Sequence, residues 1–375
     1  MCSGQTVKNN FQQVLEGLQD PELGKNLLNL IKDELDTSFC FMEVCGTHTV
    51  AIFQSGLHAL FPAELEHLSG PGCPVCVTHE QEVALFLDLA RKEGIIIATF
   101  GDLMRVPGPQ GSSLKSAKAQ GARVEVVYSP FDALALARQT PGDKVVFLGV
   151  GFETPAPTVA AAVKVAAEQD IDNFFVLSMH KLVPPALKAL LTDKESRIHA
   201  FLLPGHVSSI IGVEPYKFLA ADYGLNASIT GFEPLDILQS LLYLLRQENE
   251  ALPQVINQYS RAVKDKGNLK AIQTMQEVFE VCDAKWRGLG LLPASGLDLR
   301  SEYEHFDVQK VLGLETMTID EKSGCKCGEI LKGKLTPKQC PLFNKTCTPA
   351  SPVGPCMVST EGSCAAYYKY RLYEL

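Results

Sequence analysis

KVVFLGVGFETPAPTVAAAVKVAAEQDIDNFFVLS, Lys144 to Ser178, is the stretch whose reading decides the fold. An unbroken apolar run, KVVFLGV (144–150), leads into a Gly-Phe-Glu turn. An alanine-rich stretch of helix length (158–168) follows, and then a second apolar run, NFFVLS (173–178). Continuous apolar runs, in place of strict alternation, predict strands covered on both faces, and two such strands joined by a helix form a parallel βαβ unit.

The same rhythm extends outward. FCFMEV (39–44), LEHLS (65–69), GIIIATF (94–100) and RVEVVYS (123–129) precede this unit, and IHAFLL (198–203) and NASIT (226–230) follow it. Helix-length segments at 80–92, 184–191 and 216–221 lie between them. A second Gly-Phe-Glu turn occurs in ITGFEPLDILQSL (229–241). The expected fold is α/β, with two four-stranded parallel modules flanking a cleft and a mainly helical C-terminal region. The expected divisions are 1–130 (an N-terminal helix and the first module), 131–245 (the second module) and 246–375. Helices are expected at 235–248, 253–264 and 268–281. In parallel sheets ligands bind outside the carboxyl ends of strands, where CGTH, GPGC, GFET, PGHVS and GFEP all fall, so these motifs should converge on one cleft.

A length of 375 residues suggests two or three domains, and an apolar fraction of 46% suits a globular protein. No apolar run reaches the roughly 18 residues of a membrane span. The N-terminus lacks the basic start and apolar core of a signal peptide, so a cytoplasmic location is expected. A formal charge of −9 argues against a nucleic-acid partner, which would need clustered Lys and Arg. Twelve cysteines in a reducing compartment favour metal or redox chemistry over a disulfide framework.

Six of those cysteines, Cys325, Cys327, Cys340, Cys347, Cys356 and Cys364, occupy a tail with few apolar residues, which a metal or covalent links should organise. A zinc ribbon uses two close pairs, whereas an iron–sulfur cluster accepts ligands at long and irregular spacings, so the spacing favours a cluster. In SGPGCPVCVTHEQEV (69–83), Cys73 and Cys76 stand at the start of a helix. The helix dipole there favours a thiolate, and the two-residue gap permits a disulfide. A redox couple therefore stands beside two plainer readings, half of a zinc site or two small packed side chains. In FMEVCGTHTV (41–50), Cys45 ends an apolar strand and His48 follows three residues later. A thiolate beside an imidazole suits a transition metal or a base-activated nucleophile. Alone such a pair is more often structural, and convergence with Cys73 and Cys76 in one cleft reverses that preference.

FMEVCGTHT, GPGCPVC, GFETPAPT, PGHVSSIIG and GFEPLDIL, in that order and followed by Cys-x14-Cys-x6-Cys-x16-Cys, make the chain resemble the HypD family of hydrogenase maturation factors from about Phe11 to Tyr368. The resemblance implies a scaffold and redox component for assembling the Fe(CN)2CO group of [NiFe]-hydrogenase. A HypC-type small chaperone and a HypE-type cyanide donor would be its partners. The resemblance also implies that Cys325, Cys340, Cys347 and Cys364 hold a [4Fe-4S] cluster, leaving Cys327 and Cys356 outside. It makes Cys45 a contact of the transient iron and Cys73 with Cys76 a dithiol–disulfide couple in the same metal environment, and it places His48 near the iron. Soft thiolates suit an iron(II) that must accept diatomic ligands. The chain departs from the family pattern at Thr78-His79, where the family has Thr-Pro, and at Thr154-Pro155, where it has Thr-Thr.

Other residues carry weaker signals. Glu153 and Glu233, in the two Gly-Phe-Glu turns, are read first as charges complementing helix dipoles and second as proton-transfer groups. His180 and His206 follow strands, and His206 is the better cleft candidate. Trp286 and the stripe through Phe279 and Val281 read as helix packing. Two competing functions are an iron–sulfur-dependent protein disulfide reductase and a zinc-stabilised interaction module.

Overall fold

In the computed structural model, which describes residues 20–193, 195–251, 253–315 and 324–370, the apolar runs form strands. They are β1 (Phe39–Glu43), β2 (Leu65–Ser69), β3 (Ile95–Thr99), β4 (Arg123–Val126), β5 (Lys144–Gly149), β6 (Phe174–Ser178), β7 (Ala200–Pro204) and β8 (Asn226–Thr230). Phe11, where the resemblance begins, lies outside the described residues. β1, β3 and β7 are buried at every position, as largely apolar runs require, and so is β8 despite its polar Asn226, Ser228 and Thr230, whereas β4, at a sheet edge, is largely exposed.

Two parallel sheets result, one ordered β2-β1-β7-β8-β9, with β9 at Val255–Asn257, and one ordered β4-β3-β5-β6. This corrects the expected contiguous modules of four strands. The chain lays down β1 and β2, crosses to build the whole second sheet, and returns for β7, β8 and β9. Apolar periodicity marks a strand but carries no information about its partner. Here β1 finds β7 through Phe41 opposite Ala200, Met42 opposite Phe201 and Glu43 opposite Leu202.

The C-terminal region is also less helical than expected. The helix expected at 235–248 is present as Pro234–Glu250, but 253–264 contains β9 and turns. The stretch 268–281 is divided between a helix, Leu269–Val278, and the start of β10 (Phe279–Trp286), which pairs antiparallel with β11 (Gly290–Leu299). Phe279 is buried opposite Leu299 while Val281 is exposed, so the expected helical stripe does not exist. An irregularity in register between Cys282 and Ala284 breaks the alternation that would have marked the strand.

Alternation within β1 divides the core. Phe39 and Phe41 face an outer layer with Ile31, Leu241 and Leu245, from helices Pro21–Glu34 and Pro234–Glu250. Cys40 and Met42 face an inner core shared with Ile97 and Leu148 of the second sheet and with Ile330 and Met357 of the cysteine-rich tail. Each large apolar side chain so buried contributes about 1.5–3 kcal/mol. The tail is therefore fastened to both sheets by packing.

In the first sheet, β1 leads to β2 on one side and β7 leads to β8 on the other. In the second, β3 and β5 diverge in the same way. Crevices at such divergences are where parallel sheets place ligands. Cys45 follows β1, His206 follows β7, Asp102 follows β3, and Glu153 follows β5. Among the described residues, no helix is long and apolar enough to cross a membrane.

Candidate metal and redox site

Cys45 is the N-cap of the helix Gly46–Gln54. Its N–H donates to Glu43 Oε2 at 3.0 Å, and the same carboxyl accepts the Thr49 hydroxyl, so a buried acid fixes the turn from behind. Burial pushes the Cys45 thiol up to about 12, and Glu361 and Glu43 add to the shift. The amides of His48 and Thr47 point at the sulfur and oppose it. Cys45 is thus a protonated thiol in a cradle shaped for a thiolate.

The GPGC turn lies directly on this one. Gly46 N–H donates to the Gly72 carbonyl at 2.9 Å, and Gly70 N–H donates to the Glu43 carbonyl at 2.7 Å. Cys73 and Cys76 are joined as a disulfide, and both are buried. Cys73 caps the short helix Pro74–Val77, with the Cys76 N–H 3.2 Å from its sulfur. Ser359, from the cysteine-rich tail, places its Oγ 3.3 Å from Cys73 Sγ and 3.5 Å from the Asp102 carboxylate.

The ring of His48 is tied to the end of β8, its Nε2–H donating to the carbonyls of Gly231 (2.9 Å) and Thr230 (3.2 Å). Burial lowers its pKa, and Nδ1 is left without a partner. The ring stacks on Phe232, which stacks in turn on His206, exposed at the rim. His48 therefore links the CGTH turn to the GFEP and PGHVS turns. His180 lies elsewhere, lining a pocket with Glu82, Lys181 and Cys282.

The two glutamates differ. Glu153 is buried and accepts the Val183 N–H at 2.9 Å, capping the helix Val183–Leu191, and burial pushes its carboxyl up to about 7. Glu233 is the N-cap of Pro234–Glu250, the plainer of its two readings, while the buried acid of that turn is Asp236, doubly bonded to Arg261. At the departures from the family pattern, His79 caps the helix Glu80–Ala90. Its Nδ1 accepts the Gln81 N–H at 3.2 Å and its N–H donates to Glu82 at 2.8 Å, a bond proline cannot make. Pro155 packs against Gly151, where a Cβ would collide with its ring.

All six tail cysteines line one cavity with Ile330, Leu342, Phe343 and Met357. Cys327 and Cys356 thus join the four cysteines that the family resemblance implies as cluster ligands, and Cys327 hydrogen-bonds to both Cys325 and Cys356. A Cβ on Gly354 would lie 2.6 Å from Cys325 Sγ. Burial raises the Cys364 thiol, and Cys325, Cys327, Cys347 and Cys340 raise it further. Thiols crowded in this way ionise together only when a cation replaces their protons, which pass to solvent, and an apolar cavity with several sulfur donors fits an iron–sulfur cluster. Among the described residues, no group of three or more His, Cys, Asp or Glu side chains is placed to hold a single metal ion.

Glu361, Asp102 and Arg287 carry no signal in the sequence, and Trp286 belongs to β10 and not to the helix packing expected of it. Glu361 accepts the Thr47 hydroxyl at 3.0 Å and packs on Gly46, and it is the only charged residue between Cys347 and Cys364. Asp102 stands where ligand-binding loops begin, after β3. Trp286 lies in the hairpin, its ring centroid 6.0 Å from that of Phe152, with its Nε1–H on Ser295 Oγ at 2.9 Å. Arg287 donates through Nε to the Thr78 carbonyl at 2.9 Å and pairs with Glu80, bracing the Cys73–Cys76 helix.

Two interleaved parallel sheets, a buried cysteine turn packed on a buried disulfide turn and a cysteine-lined cavity are thus fastened to one core. The family model described as "Hydrogenase formation hypA family", HypD, matches residues 22–371. Hydrogenase maturation factor HypD of Escherichia coli is 47% identical over 334 residues, covering 89% of each chain. Those of Rhodobacter capsulatus (43% over 364 residues, 94% of this chain and 96% of the relative) and Azotobacter vinelandii (42% over 364 residues, 95% and 96%) are similarly close. The chain belongs to the HypD family of hydrogenase maturation factors.

Proposed function

We propose that this protein is a cytoplasmic scaffold and redox component for assembling the Fe(CN)2CO group of [NiFe]-hydrogenase, with a HypC-type small chaperone and a HypE-type cyanide donor as partners. The observation that carries the reading is the junction of the Cys45 turn with the disulfide turn through Gly46 and Gly72, with Ser359 of the tail against Cys73. Iron is the cargo. Cys45 would hold it as a thiolate, the Thr47 and His48 amides stabilising the sulfur's charge. The proton released on binding has a receiver in the Glu361 carboxylate, whose own pKa is raised by burial. Reduction of the disulfide would free Cys73 or Cys76 as a second sulfur donor. A [4Fe-4S] cluster on Cys325, Cys340, Cys347 and Cys364 would supply one-electron reducing equivalents. A free-standing disulfide reductase would use the disulfide and the tail but leave Cys45 and Glu361 without a task.

Infrared spectroscopy of the protein isolated anaerobically with its small partner tests the reading. Bands from metal-bound CN and CO are expected, and they should vanish in Cys45→Ala. A reductase would show no such bands and would retain thiol turnover in that variant.

A further inference from the structure

A groove of about 640 Å3 runs between the helix Gly46–Gln54, Arg105 and the C-terminal helix Ser363–Tyr370. Val50, Tyr368 and Met357 give it an apolar lining. Met357 also lines the cavity of the six cysteines, and Ser359, at the same floor, reaches Cys73 Sγ. Both sulfur centres therefore lie one side chain beneath the groove. Its charged lining residues are Arg105 and Lys369, both exposed, and the Asp102 carboxylate lies against two of its lining hydroxyls, 3.5 Å from Ser359 Oγ and 3.4 Å from Thr360 Oγ1. Glu361, next to this floor, is turned inward onto Thr47.

The surroundings reinforce that sign. From residue 324 to 370 the chain carries six lysines against Glu329 and Glu361, within a protein whose formal charge is −9. Lys334 is neutralised by Asp193 and Glu195, and Lys332 lies 3.9 Å from Glu329. Lys326, Lys345 and Lys369 are exposed. Lys345 is close in sequence to Phe343, whose ring packs edge-on against that of Tyr368, a residue that lines the groove. Two exposed cations lining an apolar groove, with further exposed lysines on the same segment of an otherwise acidic protein, favour an acidic partner by charge.

We propose that this groove is the docking site of an acidic one-electron carrier protein of the ferredoxin or flavodoxin class. The inference rests on the redox role given to the disulfide under Proposed function. Two successive encounters, each oxidising one carrier by one electron, together with two protons from solvent, convert the Cys73–Cys76 disulfide to two thiols.

The experiment titrates the full-length protein, purified anaerobically, with a plant-type ferredoxin whose iron is replaced by gallium, followed by calorimetry. Binding at low salt should weaken about tenfold or more on raising salt from roughly 0.05 to 0.5 M. The double variant Lys345→Glu, Lys369→Glu should weaken it comparably, whereas Lys345→Arg, Lys369→Arg should not. Absence of binding, or binding indifferent to salt and to charge reversal, overturns the proposal, as does equal affinity for a basic carrier such as a cytochrome c. In parallel, thiols are counted after treatment with dithionite or with reduced native ferredoxin. Charge reversal should slow the ferredoxin reaction and leave the dithionite reaction unchanged. A disulfide that neither reagent opens defeats the redox role, while the calorimetry still decides the docking site.

Discussion

Gly72 sits against the backbone of Cys45 so closely that a Cβ on it would lie 2.6 Å from the Cys45 Cα. The second glycine of GPGC is therefore required by the cysteine of CGTH, a residue far away in sequence. Gly72→Ala should force the two turns apart, at a cost of about 1–3 kcal/mol as for other overpacked sites. The urea midpoint should fall accordingly. The protein should also lose the infrared bands of bound CN and CO while keeping all its cysteines. A variant with wild-type stability would show that the turns are not in contact.

Glu153 provides a pH test away from the sulfur centres. Burial raises its carboxyl from 4.5 to about 7, so the folded protein holds a proton that the unfolded chain has already released in that window. The contribution favouring the folded state is complete below pH 4.5 and is lost as the pH rises toward 7. Glu153→Gln keeps an acceptor for the Val183 N–H and never ionises. Relative to wild type it should gain stability between pH 4.5 and 7, on the order of 1–3 kcal/mol, and then level off. Denaturant unfolding of both proteins at pH 5 and pH 8 measures the difference. A constant difference would place Glu153 in water.

Cys45 should resist alkylation by iodoacetamide at pH 7.5, because its thiol is buried and raised to about 12. After burial, Glu361 is the leading cause of that shift. Glu361→Gln should therefore speed alkylation of Cys45 several-fold at pH 9. Peptide mass spectrometry reads the modification site by site. An unchanged rate would mean that Glu361 does not act on the sulfur.

Legibility in the sequence followed how local each signal was. LEHLS and NASIT are read to the residue as β2 and β8, and KVVFLGV to within one residue as β5, a buried parallel strand whose signal lies in consecutive apolar side chains. The convergence of CGTH and GPGC was readable from their shared position at strand ends. Sheet membership was not, since β7 returns to β1 only after the whole second sheet has been built. Glu361 and Asp102 lay hidden for the same reason, each meeting the site across more than two hundred residues of sequence, at Thr47 and Ser359. The helix expected over 268–281 overruns its true end at Val278 because charged residues and a broken register erase the period of two in the hairpin Phe279–Leu299.

That hairpin carries the last test. Arg287, at its turn, is held by three links to the segment that follows Cys76: its N–H on the Val77 carbonyl at 2.9 Å, its Nε on the Thr78 carbonyl at 2.9 Å, and its ion pair with Glu80. Both charged groups are mostly buried, so removing one leaves the other poorly solvated. Arg287→Met should cost about 2–4 kcal/mol. Because the brace holds the helix Pro74–Val77, the variant should also let dithiothreitol reduce the Cys73–Cys76 disulfide faster than in wild type. Arg287→Lys restores the charge but not the directed Nε bond, and should fall between the two. Adding Glu80→Gln to Arg287→Met should recover part of the lost stability by removing the stranded carboxylate. If the double variant is as unstable as the sum of the singles, the pair does not brace the disulfide, and the hairpin is held to the site by its other contacts, the Arg287 N–H on the Val77 carbonyl among them.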